Sequence, residues 1–435
     1  MLRTIDLRGR AYNDLCTVLP RAEFDVAAAL ATVVPICEAV RQRGSVALRE
    51  FSMRFDQVAP EQLRVPAHAI AKALAGLTPA LRTALEVAIA RRKTVATALE
   101  TDTGYREVSL ATGAHVGYRI LPVQRVGLYV PGGLAPLASS VLHNAIPALA
   151  AGVPTIALAS PPQLAYGGLP HPTILAACAL LDIAEVYAIG GAQAIAMFAY
   201  GVAECPRVDM IAGPGNVYVS AAKRYLRGVV GIDAEAGPSE ICVWADETAN
   251  PAWVAADLIS QAEHDPMAAA VLVTESESFA QCVNAEIVTQ LAENPLAKRL
   301  ARSLTGKQSA VILVDEHDQA LSVVNAYAAE HLEVQTANAK ADALLVRNAG
   351  AVFIGPYSPV PLGDYSAGST HVLPTSGTAR FSSGLTARSY LKAMHYIEYD
   401  TSGLSAIGES IKEFAAAEGL PGHRAAIALR VGGEQ

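Results

Sequence analysis

The chain has 435 residues, enough at ~150 residues per domain for two or three domains. Apolar residues make up 52% of it and charged residues 17%, against roughly 25% charged in an average soluble domain, so intrinsic disorder is excluded. The net charge of −8 is spread without long blocks and leaves no basic patch, which argues against a nucleic-acid partner.

The opening stretch MLRTIDLRGRAYNDL has no apolar h-region, and no secretory signal is expected. Residues 1–120 read as mainly helical. VVPICEAVRQRGSVALREFSMRF and PALRTALEVAIARRKTVATAL both carry apolar side chains at helical spacing. They are expected to pack against the second of two α/β units that follow. From 121 the texture changes. RVGLYV, PTIALAS, EVYAI and VDMIAG are short apolar runs separated by helix-length, Ala-rich stretches. That alternation predicts a parallel sheet with helices on both faces over 121–238. EICVWAD, AAVLVTE, SAVILVD and AGAVFIG mark a second such block over 239–385. The expected fold class is therefore α/β, with two Rossmann-like parallel-sheet domains, a helical N-terminal segment and a C-terminal tail over 386–435. The extended stretch HYIEYD in that tail is expected to lie outside both sheets.

From Val126 to Leu181, 56 residues, there is no Asp, Glu, Lys or Arg. A membrane helix needs ~20 consecutive apolar residues. The longest run, Ala145 to Ser160, is cut by Pro147, Gly152 and Pro154, and no membrane span is expected. The six cysteines, at 16, 37, 178, 205, 242 and 282, form no CxxC pair. Their scatter points to reduced thiols in a cytoplasmic protein.

Three strand-to-helix junctions are glycine-rich: VPGG (Val130 to Gly133), IGGAQ (Ile189 to Gln193) and AGPGN (Ala212 to Asn216). Such a junction leaves free backbone N–H groups at a helix N-terminus, which favours a phosphate. The GxGxxG fingerprint fails, because Tyr218 stands where the third glycine would fall. Asp233 lies 20 residues beyond Gly213, near the offset of a ribose-binding acid, but without the fingerprint the offset weighs little. One such junction is an ordinary tight turn. Three at the ends of adjacent strands suggest a ligand crevice.

Four polar clusters stand out. Gln261 and His264, in LISQAEHDP, are three apart on a helix and share a face. Glu330 and His331, in AEHLE, are adjacent and would diverge by ~100° on a helix, so they serve one site only near a helix end or in separate roles. Histidine is the usual general base near neutral pH. Asp364 and His371 lie in GDYSAGSTHVLPT, a polar loop of the kind that carries sites. Glu418 and His423 flank the turn in AEGLPGHRAA. Amide oxygen, imidazole nitrogen and carboxylate oxygen together suit zinc or a similar divalent ion.

These residues carry a resemblance. Through GYRILPVQRVGLYVPGG, IGGAQAIA, IAGPGNVYV, AGPSE, SQAEHDP, AEHLE, GDYSAGSTHVLPT and PGHRAA, nearly the whole chain resembles the histidinol dehydrogenase family. The resemblance implies a zinc enzyme that oxidises L-histidinol through L-histidinaldehyde to L-histidine with two NAD, in the last steps of histidine biosynthesis. It implies one zinc per subunit, held by Gln261, His264, Asp364 and His423. His423 would come from the partner in a homodimer whose active sites are shared. It implies Glu330 and His331 as the catalytic pair. Substrate contacts fall on Ser239, His331, His371 and Glu418 beside the metal ligands. Cofactor contacts fall on Tyr129, Gln193 and Asn216, each in or beside a glycine-rich junction. No cysteine lies in these motifs, so the aldehyde is expected to be oxidised through its hydrate rather than a thiohemiacetal. Leu134, Ala329 and Ser369-Thr370 depart from the family pattern, and none is a site residue. Two rival readings are a related NAD-dependent dehydrogenase for another polar alcohol and a zinc hydrolase. The hydrolase leaves the three glycine junctions unexplained.

Overall fold

The computed structural model describes residues 2–10, 14–22, 26–132, 136–202, 204–235 and 237–431. Its strands in chain order begin with β1 (Arg3–Asp6), β2 (Gly104–Ala111), β3 (Ala114–Pro122), β4 (Arg125–Tyr129) and β5 (Thr155–Ser160). They continue with β6 (Val186–Ala188), β7 (Met210–Ala212), β8 (Gly231–Ile232), β9 (Glu240–Ala245) and β10 (Ala269–Thr274). The last are β11 (Ala310–Leu313), β12 (His331–Gln335), β13 (Ala351–Ile354) and β14 (Leu391–Tyr399).

Two parallel sheets form, as the alternation implied. The first runs β6-β5-β4-β7-β8 and the second β1-β11-β10-β9-β12-β13. β9, β10 and β11 are buried at every residue. A strand covered on both faces reads as a continuous apolar run, which explains EICVWA and AAVLVT. β12 is the exception: His-Leu-Glu-Val-Gln is buried throughout yet alternates polar and apolar. His331, Glu333 and Gln335 therefore share one face of the sheet.

The charge-free stretch supplies β4, β5 and the helices Ala138–Ala151 and Pro172–Leu180. Eleven of the 14 residues of Ala138–Ala151 are buried. A helix this apolar on all sides has to sit inside the protein. It closes at Gly152, whose φ of 79° lets its N–H reach back to the last turn. Among the described residues no single helix is long and apolar enough to cross a membrane.

The N-terminal region departs from the expectation in two ways. Its helices pack on the first α/β unit, not the second: Val26–Arg43 lies on Gly191–Tyr200 and Val217–Leu226, and Pro79–Val95 on Ala138–Ala151. Val33, Ile36 and Val40 share a core with Ile195, Phe198 and Val219. The second unit is reached by the first residues, where β1 pairs with β11 and Leu7 and Leu19 pack near Trp244 and Tyr327, and by Arg91 and Arg92, which bond the Ser366 and Gly368 carbonyls. The region also ends in strands, since β2 and β3 form an antiparallel hairpin. β14, which contains all of HYIEYD but its last residue, Asp400, pairs with β3 along its full length, outside both parallel sheets.

Candidate active site

The first sheet presents the carboxyl ends of its strands, where open α/β sheets bind ligands. Tyr129 ends β4, and its buried hydroxyl accepts the Gly191 N–H at 3.0 Å. Burial pushes that phenol up to about 12. Gly213 has φ +121°, and a Cβ there would collide with the Tyr129 carbonyl oxygen. Tyr129 thus ties together the junctions that follow β4, β6 and β7. Gln193 is buried in the helix Gly191–Tyr200. Asn216 is exposed and caps Val217–Leu226, its Oδ1 accepting the N–H groups of Tyr218 and Val219 at 3.1 and 3.2 Å. Gly133 and Leu134, at the end of the VPGG junction, lie outside the described residues, as does Ala236 of AGPSE. Asp233 is committed to the fold. It accepts the Gly213 N–H at 2.8 Å and the Lys223 ammonium at 2.6 Å.

The second sheet presents the opposite edge. Glu240 opens β9 and His331 opens β12, so the polar clusters gather at the amino ends of these strands. Glu330 and His331 are not on a helix, because the helix His317–Tyr327 ends at Ala328, a non-glycine residue with φ +48°. Glu240 clamps both. Its N–H donates to Glu330 Oε2 at 2.9 Å, and its carbonyl lies 3.1 Å from His331 Nδ1. A carbonyl only accepts, so Nδ1 carries the proton and Nε2 keeps a free lone pair. Nε2 is buried with no hydrogen-bond partner. Burial drives the imidazole pKa down to about 3 and raises that of Glu330 well above the usual carboxylate range. Arg21, from the N-terminal segment, holds the Glu240 side chain. Its Nη1 reaches both carboxylate oxygens at 2.8 and 3.1 Å, and Nη2 bonds the Tyr327 carbonyl.

Gln261 lies near the end of the helix Pro251–Ala262, fully buried, with both amide atoms unpartnered. A buried polar group left without a partner costs about 1–3 kcal/mol, so the amide fits a ligand group from outside the chain. His264 lies just past the helix end, not on it, and its side chain is 41% exposed. Its Nε2 is 3.9 Å from Asp364 Oδ2. Asp364 belongs to a short helix, Val360–Tyr365, rather than to a loop. His371 Nδ1 is 3.9 Å from the other oxygen, Asp364 Oδ1. Burial raises the Asp364 carboxyl and lowers His371 to about 4. Ser239 is half-buried just before β9, its carbonyl taking the Ala269 N–H at 2.9 Å.

Two expected residues stay apart. Glu418 caps the helix Thr401–Ala417, and His423 lies on Pro421–Val431, a helix with no buried residue. Both are exposed. Among the described residues no group of three or more His, Cys, Asp or Glu is placed to hold a metal ion.

A family model described as histidinol dehydrogenase matches residues 19–431. The chain belongs to the histidinol dehydrogenase family. It is 58% identical to the histidinol dehydrogenase of Cutibacterium acnes, over 99% of each chain. It is 56% identical to that of Thermobifida fusca, over 100% of this chain and 99% of the other. The crystal structure of histidinol dehydrogenase from Elizabethkingia anophelis superposes with a TM-score of 0.90 at 32% identity, covering 99% of this chain and 98% of that one. As a histidinol dehydrogenase the chain is an oxidoreductase with a mixed α/β fold. Sequence reasoning had overlooked Arg21 altogether. It had also overlooked Glu240 as the clamp on the Glu-His pair, although AGPSE contains it. The alternation in β12 was the signal for a polar face at Glu333 and Gln335.

Proposed function

We propose that the protein oxidises L-histidinol to L-histidine with two NAD, as a cytoplasmic homodimer holding one zinc per subunit. The observation that carries the reading is the buried, unpartnered Nε2 of His331, set beside Glu330. Six free thiols, four of them buried, are in keeping with a reducing compartment.

Gln261, His264 and Asp364, with His423 of the partner subunit, are the residues that would hold zinc. Zinc, when bound, would hold the amine and imidazole nitrogens of the substrate and orient it. NAD, when bound against Tyr129, Gln193 and Asn216, supplies the hydride acceptor. His331 takes the hydroxyl proton at Nε2. Its depressed pKa keeps the ring neutral, which a base requires. The aldehyde stays in place, and Glu330 takes a proton from the water that adds to its carbonyl. Burial favours the protonated form of this carboxyl, and once ionised it is a stronger base than an exposed carboxylate. His331 then accepts a second proton as the hydrate is oxidised. Ser239, His371 and, from the other subunit, Glu418 complete the polar contacts to substrate.

The dimer reading rests on unpartnered apolar surface. Phe414 and Leu429 on the two last helices are 70% and 80% exposed, and Ile397 on β14 is 75% exposed. β2 is exposed at every residue. Large apolar side chains left this exposed on the last strand and the last two helices are in keeping with an interaction site.

Steady-state turnover tests the proposal. Each L-histidinol should give two NADH and one histidine. Oxidation of a different polar alcohol with none of L-histidinol would overturn the substrate, and one NADH per turnover would overturn the four-electron course.

A further inference from the structure

His143 belongs to none of the motifs above, yet it touches the site twice. It sits on Ala138–Ala151, the helix that follows β4 in the first α/β unit, and is 2% exposed. Its Nδ1 accepts the backbone N–H of His371 at 3.2 Å. An N–H only donates, so the ring proton must be on Nε2. That Nε2–H donates to the backbone carbonyl of Asp364 at 3.1 Å. Both of its hydrogen bonds therefore hold the segment that presents Asp364 and His371, from 221 and 228 residues away in the chain.

The ring contacts point the same way. The imidazoles of His143 and His371 stack, with centroids 4.0 Å apart and planes 14° from parallel. One turn earlier on the helix, Ser140 Oγ lies 3.3 Å from His371 Nε2. Residues three apart on a helix share a face, so Ser140 and His143 act on His371 together. Arg92, on the neighbouring helix, reaches the Gly368 carbonyl at 3.4 Å, and Arg91 the Ser366 carbonyl at 3.2 Å. Segment 364–371 is thus held at five points, three from the first unit and two from the N-terminal helix Pro79–Val95.

We propose that His143 is a positioning residue that sets Asp364 and His371 from the cofactor-side unit, with Ser140 as its second contact. The proposal rests on the zinc and histidinol reading for what Asp364 and His371 do. For the grip itself it rests only on the contacts above. Groups that orient metal ligands from behind typically cost 10–100-fold in metal affinity or activity when removed.

Three substitutions separate the roles. His143→Phe keeps a flat ring for the stack and removes both hydrogen bonds. His143→Gln places a donor near the former Nε2, and His143→Asn an acceptor near the former Nδ1. In His143→Phe, zinc affinity measured against a competing chelator should fall 10–100-fold. The KM for NAD should stay within about twofold. His143→Gln should recover most of the metal affinity, because it restores the bond to Asp364. His143→Asn should instead recover the KM for histidinol, through His371. Amide hydrogen exchange across 364–371 should quicken in His143→Phe whatever the ligand. If all three variants hold zinc like the parent and exchange is unchanged, the proposal is wrong. It is equally wrong if Gln and Asn do no better than Phe by any readout. If the parent itself binds no zinc, the zinc reading fails alone, and the exchange result still decides the role of His143.

Discussion

The Lys223–Asp233 pair lends itself to a quantitative test. The two side chains are 2% and 4% exposed and 2.6 Å apart. Lys223 Nζ also donates to the Gly213 carbonyl at 2.5 Å and the Ala234 carbonyl at 3.4 Å, which uses all three of its protons. Asp233 returns to Gly213 by accepting its N–H at 2.8 Å. Lys223→Met leaves a buried carboxylate with one hydrogen bond. Breaking a buried pair from one side costs about 3–5 kcal/mol. Replacing both partners, as in Lys223→Met with Asp233→Leu, removes the unpaired charge and should recover most of that loss. The double variant still leaves Gly213 without its two anchors, so the KM for NAD should stay raised while stability returns. Urea unfolding should be followed by circular dichroism, because both tryptophans, Trp244 and Trp253, lie in the second α/β unit. A Lys223→Met variant within about 1 kcal/mol of the parent would mean the pair is not desolvated as its burial implies. A double variant with the parental KM for NAD would show that the Gly213 junction does not depend on the pair.

Two further outcomes are expected. Glu330→Gln should slow oxidation of the aldehyde more than oxidation of the alcohol in single-turnover measurements, since only the aldehyde step needs water activated; equal loss in both would remove that role. His423→Asn should lower bound zinc well below one per subunit, and mixing it with an inactive His331 variant under conditions of subunit exchange should restore part of the activity, whereas no complementation would mean that each site is built within one chain.

The two parallel sheets were legible because burial on both faces leaves strands such as AVIL no polar residue. The partner of an amphipathic helix was not legible. The apolar stripe of Val26–Arg43 says that one face is covered, and nothing local says by which unit. The edge on which the second unit gathers its polar groups was hidden for a similar reason. AEHLE reads as the end of a helix, but Ala328 turns the chain out at φ +48° and His331 enters a strand. The contacts that hold the site were least visible of all. Arg21 reaches Glu240 across 219 residues and His143 reaches Asp364 across 221, and hydrogen bonds at that separation leave no periodicity. A histidine inside LASSVLHNAIPALAAG looks like any other core position.

That helix also accounts for the charge-free stretch. Val126 to Leu181 forms β4, β5 and two helices packed between other layers, and an unpaired ion there would cost several kcal/mol. Polar work inside the stretch falls to neutral groups: Tyr129 on Gly191, Ser140 on His371, His143 on Asp364 and His371. His143 shows why neutrality matters. Burial, with His371 stacked on it, drives its pKa well below the ordinary imidazole value. Protonation at Nδ1 would set one N–H against another at His371 and break the grip on segment 364–371. His143 holds Asp364 in place as a neutral imidazole, which can accept from one backbone group while donating to the next.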